Sequence, residues 1–257
     1  MTNYNNKTIF FLYYFFVIVF LIFTNTYFSY DQSLIFGGAD GKSYMSISNS
    51  FPNITNQKLM PIHAERFFFY YFFGFLSKFL TIEVYSLYRF FVFLIIGFIN
   101  FLLILLFKRK QIEISLILIF LTLINLNPYI SRYYIAVPTI LNDLIFILGI
   151  TLLVYAVETN KNILFILSLL IMFFSRQTSI AIIISLVATK MIFMDSFKIN
   201  LKLIIYTIVI FLLIYLINFY YSSQTFDLKE YRWQQYSIGT RIFGFFDESI
   251  DLKQKII

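Results

Sequence analysis

The chain has 257 residues, 60% of them hydrophobic and only 13% charged, whereas soluble globular proteins carry about 25% charged residues. That shortfall, with repeated long apolar runs, argues against a soluble fold and predicts an all-α, polytopic membrane protein, because lipid offers backbone N–H and C=O groups no partner outside a helix. The net charge of +7 comes from Lys and Arg at the ends of the apolar runs. It therefore reads as membrane topology, with no nucleic-acid partner. The absence of Cys excludes disulfides and thiolate metal sites, and the single His excludes a histidine-based metal cluster.

Residues 9–28 form the first predicted span. Lys7 precedes it and no small-residue cleavage site follows, so it reads as an uncleaved anchor with a cytoplasmic N-terminus. A polar outer loop, residues 29–66, holds Asp31, Asp40, His63, Glu65 and Arg66. The apolar run Phe67–Leu80 is too short to cross comfortably and is predicted to lie along the interface. Residues 84–107 are long enough to cross and end in Lys108, Arg109 and Lys110, the densest basic cluster in the chain. Those three residues decide the topology: with Phe67–Leu80 flat, the cluster falls on the cytoplasmic side, as the positive-inside rule prefers.

The later spans are predicted at 112–126, 134–157, 163–174, 178–194 and 201–221, giving a bundle of about seven spans over residues 1–221, with a C-terminal tail over 222–257. Arg176 interrupts the region 163–194. Because a charge in lipid is costly, two short helices with a turn at Arg176 fit best. Pro138, early in its span, is predicted to kink the helix entry at most. Trp233, in the tail, suits an interfacial position.

Candidate site residues cluster on the outer side of this topology. Gly37, Gly38 and Gly41 are predicted to turn the backbone tightly around Asp40. Asp40 is then either a carboxylate free to take a proton or a capping residue of the turn. Tyr44 follows one helical turn later. His63, Glu65 and Arg66 are either ordinary interfacial charges or a phosphate grip built around the Arg fork. Asp143 lies at membrane depth, where an acid faces a cavity or a cation, and Arg132 and Arg176 are its candidate partners.

These features together resemble the GT-C superfamily of membrane glycosyltransferases, which includes protein O-mannosyltransferases and lipid A aminoarabinose transferases. Asp40-Gly41-Lys42-Ser43-Tyr44 resembles the acidic motif of the first outer loop. The run FFFYYFFGFLSKFLTIEVYSLYRFF, with Arg89, resembles the interfacial helix and second-span entry. Lys108, Arg109 and Lys110 resemble the basic close of that span. The stretch from Pro138 to Asp143 resembles a later span carrying an Asp, and Ser175-Arg176-Gln177-Thr178 a basic break beyond it. The twin prolines common before the interfacial Tyr residues are missing, with only Pro61 nearby. Relatives are mostly longer, so the resemblance covers a short or truncated form over residues 9–195.

The resemblance implies a GT-C-like fold in a bacterial inner membrane, with the active side facing outward. It implies a polyprenyl-phosphate-linked sugar donor and a glycan, lipid or protein acceptor. Asp40 would be the catalytic base. Tyr44, His63, Glu65, Arg66, Arg132, Asp143 and Arg176 would line the substrate site, with Arg66 or Arg176 steadying the lipid phosphate. A divalent metal is left open, and no metal ligand is assigned. Two other readings remain: a non-catalytic membrane scaffold on the same fold, and a small transporter in which Asp143 and Arg176 line a path.

Overall fold

The computed structural model describes residues 3–27, 39–59, 61–127, 131–176, 179 and 201–225; a few side chains within these helices, Asp40 among them, lie outside the description. The described residues are helical, with no strand element. They form α1 (Asn3–Tyr27), α2 (Ala39–Ser50), α3 (Pro61–Ala64), α4 (Phe67–Leu80), α5 (Val84–Arg109), α6 (Ile114–Leu126), α7 (Ser131–Ala136), a 3₁₀ turn (Pro138–Ile140), α8 (Leu141–Thr159), α9 (Asn162–Ser175) and α10 (Leu201–Thr225). The expected span at 178–194, the tail 222–257 with Trp233, and Asp31, Gly37 and Gly38 lie almost wholly outside the described residues.

Among the described residues, two helices are long and apolar enough to cross a membrane, Val84–Arg109 and Pro138–Thr159. At 1.5 Å per residue, the 26 residues of α5 reach about 39 Å against a hydrocarbon core of about 30 Å. Shorter apolar helices surround them, including Ile114–Leu126 and Asn162–Ser175.

The direction of each helix follows from its end contacts. Lys110 Nζ meets Glu158 Oε2 at 2.8 Å, so α5 and α8 finish at the same end. Lys108 Nζ lies 4.8 Å from the Phe10 ring centroid, and Phe10 packs with Ile104, Ile117 and Leu121. The start of α1 therefore stands beside the basic cluster, as expected if Phe67–Leu80 does not cross. Between α5 and α6, the Asn100 and Asn125 side-chain amides exchange hydrogen bonds of 2.9 and 3.2 Å, and Ser131 Oγ donates to Asn125 Oδ1 at 3.3 Å.

The opposite end is built around α2 and α4. In α4 the buried residues are Phe67, Tyr70, Phe73 and Gly74, while Phe72, Phe75 and Phe79 are exposed, which is the stripe of a one-sided helix. The helix stops at Thr81, left-handed at φ 54° and ψ 34°, whose N–H closes onto Ser77 O. Gly74 marks the tightest crossing: a Cβ there would collide with Ser48 O and sit 2.8 Å from Phe51 Cβ.

Two expectations need correction. The stretch 134–157 is not one helix. The chain leaves α7 at Ala136, Val137 adopts φ −124° and ψ 69°, and Pro138 starts the 3₁₀ turn before α8. A residue before proline is pushed out of the α region and Pro138 has no N–H to give the preceding turn, so the helix breaks rather than kinks. Nor does the backbone turn at Asp40 and Gly41. Both lie in the first turn of α2. Gly41 serves close packing instead, since a Cβ there would meet Thr139 Oγ1 at 3.1 Å.

Candidate functional site: an Arg–Asp–Arg cluster

The antiparallel α8–α9 hairpin brings the start of one helix beside the end of the other. Asp143 sits in the first turn of α8, where the helix dipole favours an acid. Arg176 is the residue just past α9, extended at φ −150° and ψ 139°, where the dipole favours a cation. Arg176 Nε donates to Asp143 Oδ1 at 2.7 Å and its Nη2 pairs with Asp143 Oδ2. This two-pronged geometry is what a guanidinium offers and an ammonium does not. Burial lowers the Arg176 pKa, but its bond to Asp143 outweighs that and holds it above the ordinary value.

Arg66 approaches from the entry to α4. It stands between α3 and α4 with φ −100° and ψ 18°, and its N–H bonds His63 O at 3.2 Å. Its Nη1 lies 3.8 Å from Asp143 Oδ1 and donates to the Tyr44 hydroxyl at 3.4 Å. Its carbonyl accepts from Asn142 Nδ2 at 3.1 Å. The two arginines are thus held unequally, Arg176 by a fork and Arg66 by one longer contact. Two guanidiniums against one carboxylate leave a net positive charge. The three side chains are 17% (Arg66), 24% (Asp143) and 32% (Arg176) exposed, so a small anion can reach them.

An aromatic floor fixes Arg66's partner. Tyr44 is fully buried, stacked on Tyr70 at 4.1 Å and 10°, with His63 edge-on at 5.1 Å. The Tyr70 hydroxyl donates to Thr139 O at 2.7 Å and accepts from the Asn142 N–H at 3.4 Å. This ties the α2–α4 pair to the entry of α8. Tyr134 of α7 also faces the cluster. Burial and the Asp143 charge push its hydroxyl up to about 12, with Arg176 opposing.

Of the residues predicted from sequence, Tyr44, His63, Arg66, Asp143 and Arg176 converge here. Asp40 has its backbone one turn before Tyr44 on α2, and its side chain lies outside the described atoms. Glu65 is half-buried beside Arg66; burial raises its carboxyl above the usual range and the Arg66 charge opposes this. Arg132 lies half-buried on α7, at the same end of the bundle. Arg89, the Arg of the family resemblance, is exposed over the Tyr85 ring at 5.0 Å and stands apart from the cluster. Tyr70, Thr139 and Tyr134 were not singled out from sequence, since nothing separates Tyr70 and Tyr134 from the chain's other 18 Tyr residues (20 in all). Among the described residues, no three His, Asp or Glu side chains gather as a metal site would need. Comparison with protein-family models, curated proteins and solved structures finds no match to this chain.

Proposed function

We propose that the chain is a multi-pass membrane protein of GT-C type, a glycosyltransferase that moves a sugar from a polyprenyl-phosphate donor to an acceptor hydroxyl. The observation that carries this reading is the Arg66–Asp143–Arg176 cluster beside Tyr44, one helical turn from Asp40. A net positive pair of guanidiniums suits a phosphate that leaves with its bonding electrons. In the proposed reaction the acceptor oxygen bonds the anomeric carbon as the sugar–phosphate C–O bond breaks. The acceptor proton passes to Asp40, and the lipid phosphate departs as an anion against Arg66. The basic end of α5 supports a cytoplasmic placement of that end, which turns the cluster outward in a bacterial inner membrane. The acceptor is a glycan, a lipid or a protein.

The test is transfer of radiolabelled hexose from polyprenyl-phosphate hexoses to membrane acceptors by the reconstituted protein. Asp40→Asn abolishes transfer while the melting midpoint stays at the parent value. Full activity in Asp40→Asn, or no transfer by the parent from any such donor, rejects the proposal. A second reading has its own support: both oxygens of Asp143 are engaged by Arg176, as in a purely structural clasp of a non-catalytic scaffold. In that case Arg66→Ala leaves polyprenyl-phosphate binding unchanged, whereas the transferase reading requires its loss.

A further inference from the structure

The end of the bundle away from the arginine cluster carries charge that the fold does not neutralise. The 26 residues of α5 reach about 39 Å across about 30 Å of hydrocarbon, so the last turn stands at the level of lipid phosphates. That turn holds Lys108 and Arg109, and Lys110 follows it. The Lys110–Glu158 ion pair draws the α8–α9 connection alongside, which adds Lys161, the residue just before α9. Among the described side chains, these four cations stand against two acids, Glu113 and Glu158. Glu158 is engaged by Lys110. Lys108 Nζ is held over the Phe10 ring, which fixes the ammonium without cancelling its charge. Arg109 and Lys161 are exposed, and no described carboxylate meets either side chain. A cation at a span end needs only water to be stable, so charge alone does not define a ligand. The residues below the charge do. On the same hairpin Ile163 is 77% exposed, and Leu167 and Val154 are exposed as well. Cations at the phosphate level above an apolar strip suit an anion that carries hydrocarbon chains; a free anion would leave the strip uncovered.

We propose that Lys108, Arg109 and Lys161 seat the headgroup of an anionic phospholipid of the cytoplasmic leaflet, with its chains along the α8–α9 hairpin. Such a site stands whatever chemistry the outer cluster performs; it needs only the inward placement of this end. One phosphate shared by Arg109 and Lys161 ties the end of α5 to the start of α9, alongside the Lys110–Glu158 pair. The guanidinium of Arg109 grips the phosphate oxygens, and the two ammoniums act as point charges beside it.

The full chain is placed in nanodiscs of phosphatidylglycerol and phosphatidylcholine in equal amounts, and native mass spectrometry gives the ratio of the two lipids retained. Phosphatidylglycerol is expected in excess. A cation beside an anionic headgroup contributes about a fivefold preference, so Arg109→Gln and Lys161→Gln each lower the ratio about fivefold and the double variant lowers it further. The conservative Arg109→Lys keeps most of the preference. Both positions are exposed, so the melting midpoints in phosphatidylcholine alone stay at the parent value. Lys42→Gln and Lys58→Gln, exposed at the other end of the bundle, leave the ratio unchanged. Glycerol 3-phosphate, which carries the charge without the chains, does not displace the lipid. A parent that retains the two lipids equally overturns the site, as do Arg109 and Lys161 variants within twofold of the parent ratio or an equal fall in the Lys42 and Lys58 variants. Displacement by glycerol 3-phosphate shows a site for free phosphates and overturns the lipid.

Discussion

The α2–α4 crossing at Gly74 sets the distance between Tyr44 and Tyr70, and through them the place of Arg66. In Gly74→Ala the new Cβ runs into Ser48 O and stands 2.8 Å from Phe51 Cβ and 3.0 Å from Ser48 C. Two effects oppose each other. Alanine gains about 1 kcal/mol over glycine inside a helix. Overpacking costs about 1–3 kcal/mol, and this case belongs at or beyond the upper end because the atoms in the way are backbone and cannot rotate aside. The net expectation is a loss of about 2 kcal/mol, or about 4–8 °C in the melting midpoint of a chain this size. Gly97 on α5 is the internal control, since a Cβ there meets nothing within 4 Å. Gly97→Ala is expected to keep or raise the midpoint, by no more than about 2–4 °C. Circular dichroism melts of both variants in one detergent, at one scan rate, cancel the irreversibility common to such proteins. A Gly74→Ala protein that melts at or above the parent refutes the close crossing and the arrangement of Arg66 that depends on it.

Three further outcomes follow from the geometry. Asp143→Asn leaves the Arg176 fork facing a neutral amide. Bonds to charged groups contribute about 1.5–3 kcal/mol, and the partial exposure of Asp143 keeps the loss near 2 kcal/mol, below the ~3–5 kcal/mol of a fully buried pair; a thermal melt unchanged from the parent would show the cluster to be loose. Glu65 holds its proton to higher pH in the fold than in the unfolded chain, so its contribution to stability is present at acid pH and is lost as pH rises through the raised value. Glu65→Gln is therefore expected to flatten that decline and match or exceed the parent at neutral pH, and parallel pH–stability curves would count against it. Finally, Lys42 and Lys108 are both exposed and lie at opposite ends of the bundle, so a membrane-impermeant thiol reagent should label Lys42→Cys and Lys108→Cys from opposite faces of the membrane; labelling from one face contradicts the topology.

The helices were legible wherever an apolar run had charged or turn-forming limits. Phe67–Leu80 and the α5 and α9 boundaries fall within about two residues of their expected ends, which is the ordinary uncertainty of helix termini. The break at Arg176 and its approach to Asp143 were also legible, because a charge among so many apolar residues has few stable places to go. What sequence did not supply was local geometry. Nothing in GGADG separates a turn from the first turn of a helix once Thr139 needs the space that Gly41 leaves. Pro138 is tolerable in itself early in a helix; it is its effect on Val137 that ends α7. Tyr70 is hidden among the aromatics because its role comes from hydrogen-bond partners 22–72 residues away, Ser48, Thr139 and Asn142, which no local pattern encodes.

The paired amides of Asn100 and Asn125 also bear on how the bundle assembles. Each amide has the other as its natural complement, and the flanking residues of both helices are aliphatic or aromatic. Were α5 and α6 to slide past each other by a single turn, each amide would lose the other, at about 1–3 kcal/mol for each group left unpaired; Asn125 would keep only its bond from Ser131. The pair acts as a detent: it fixes one register for this hairpin, so that its ends are aligned for α7 to α10, which follow it in the chain.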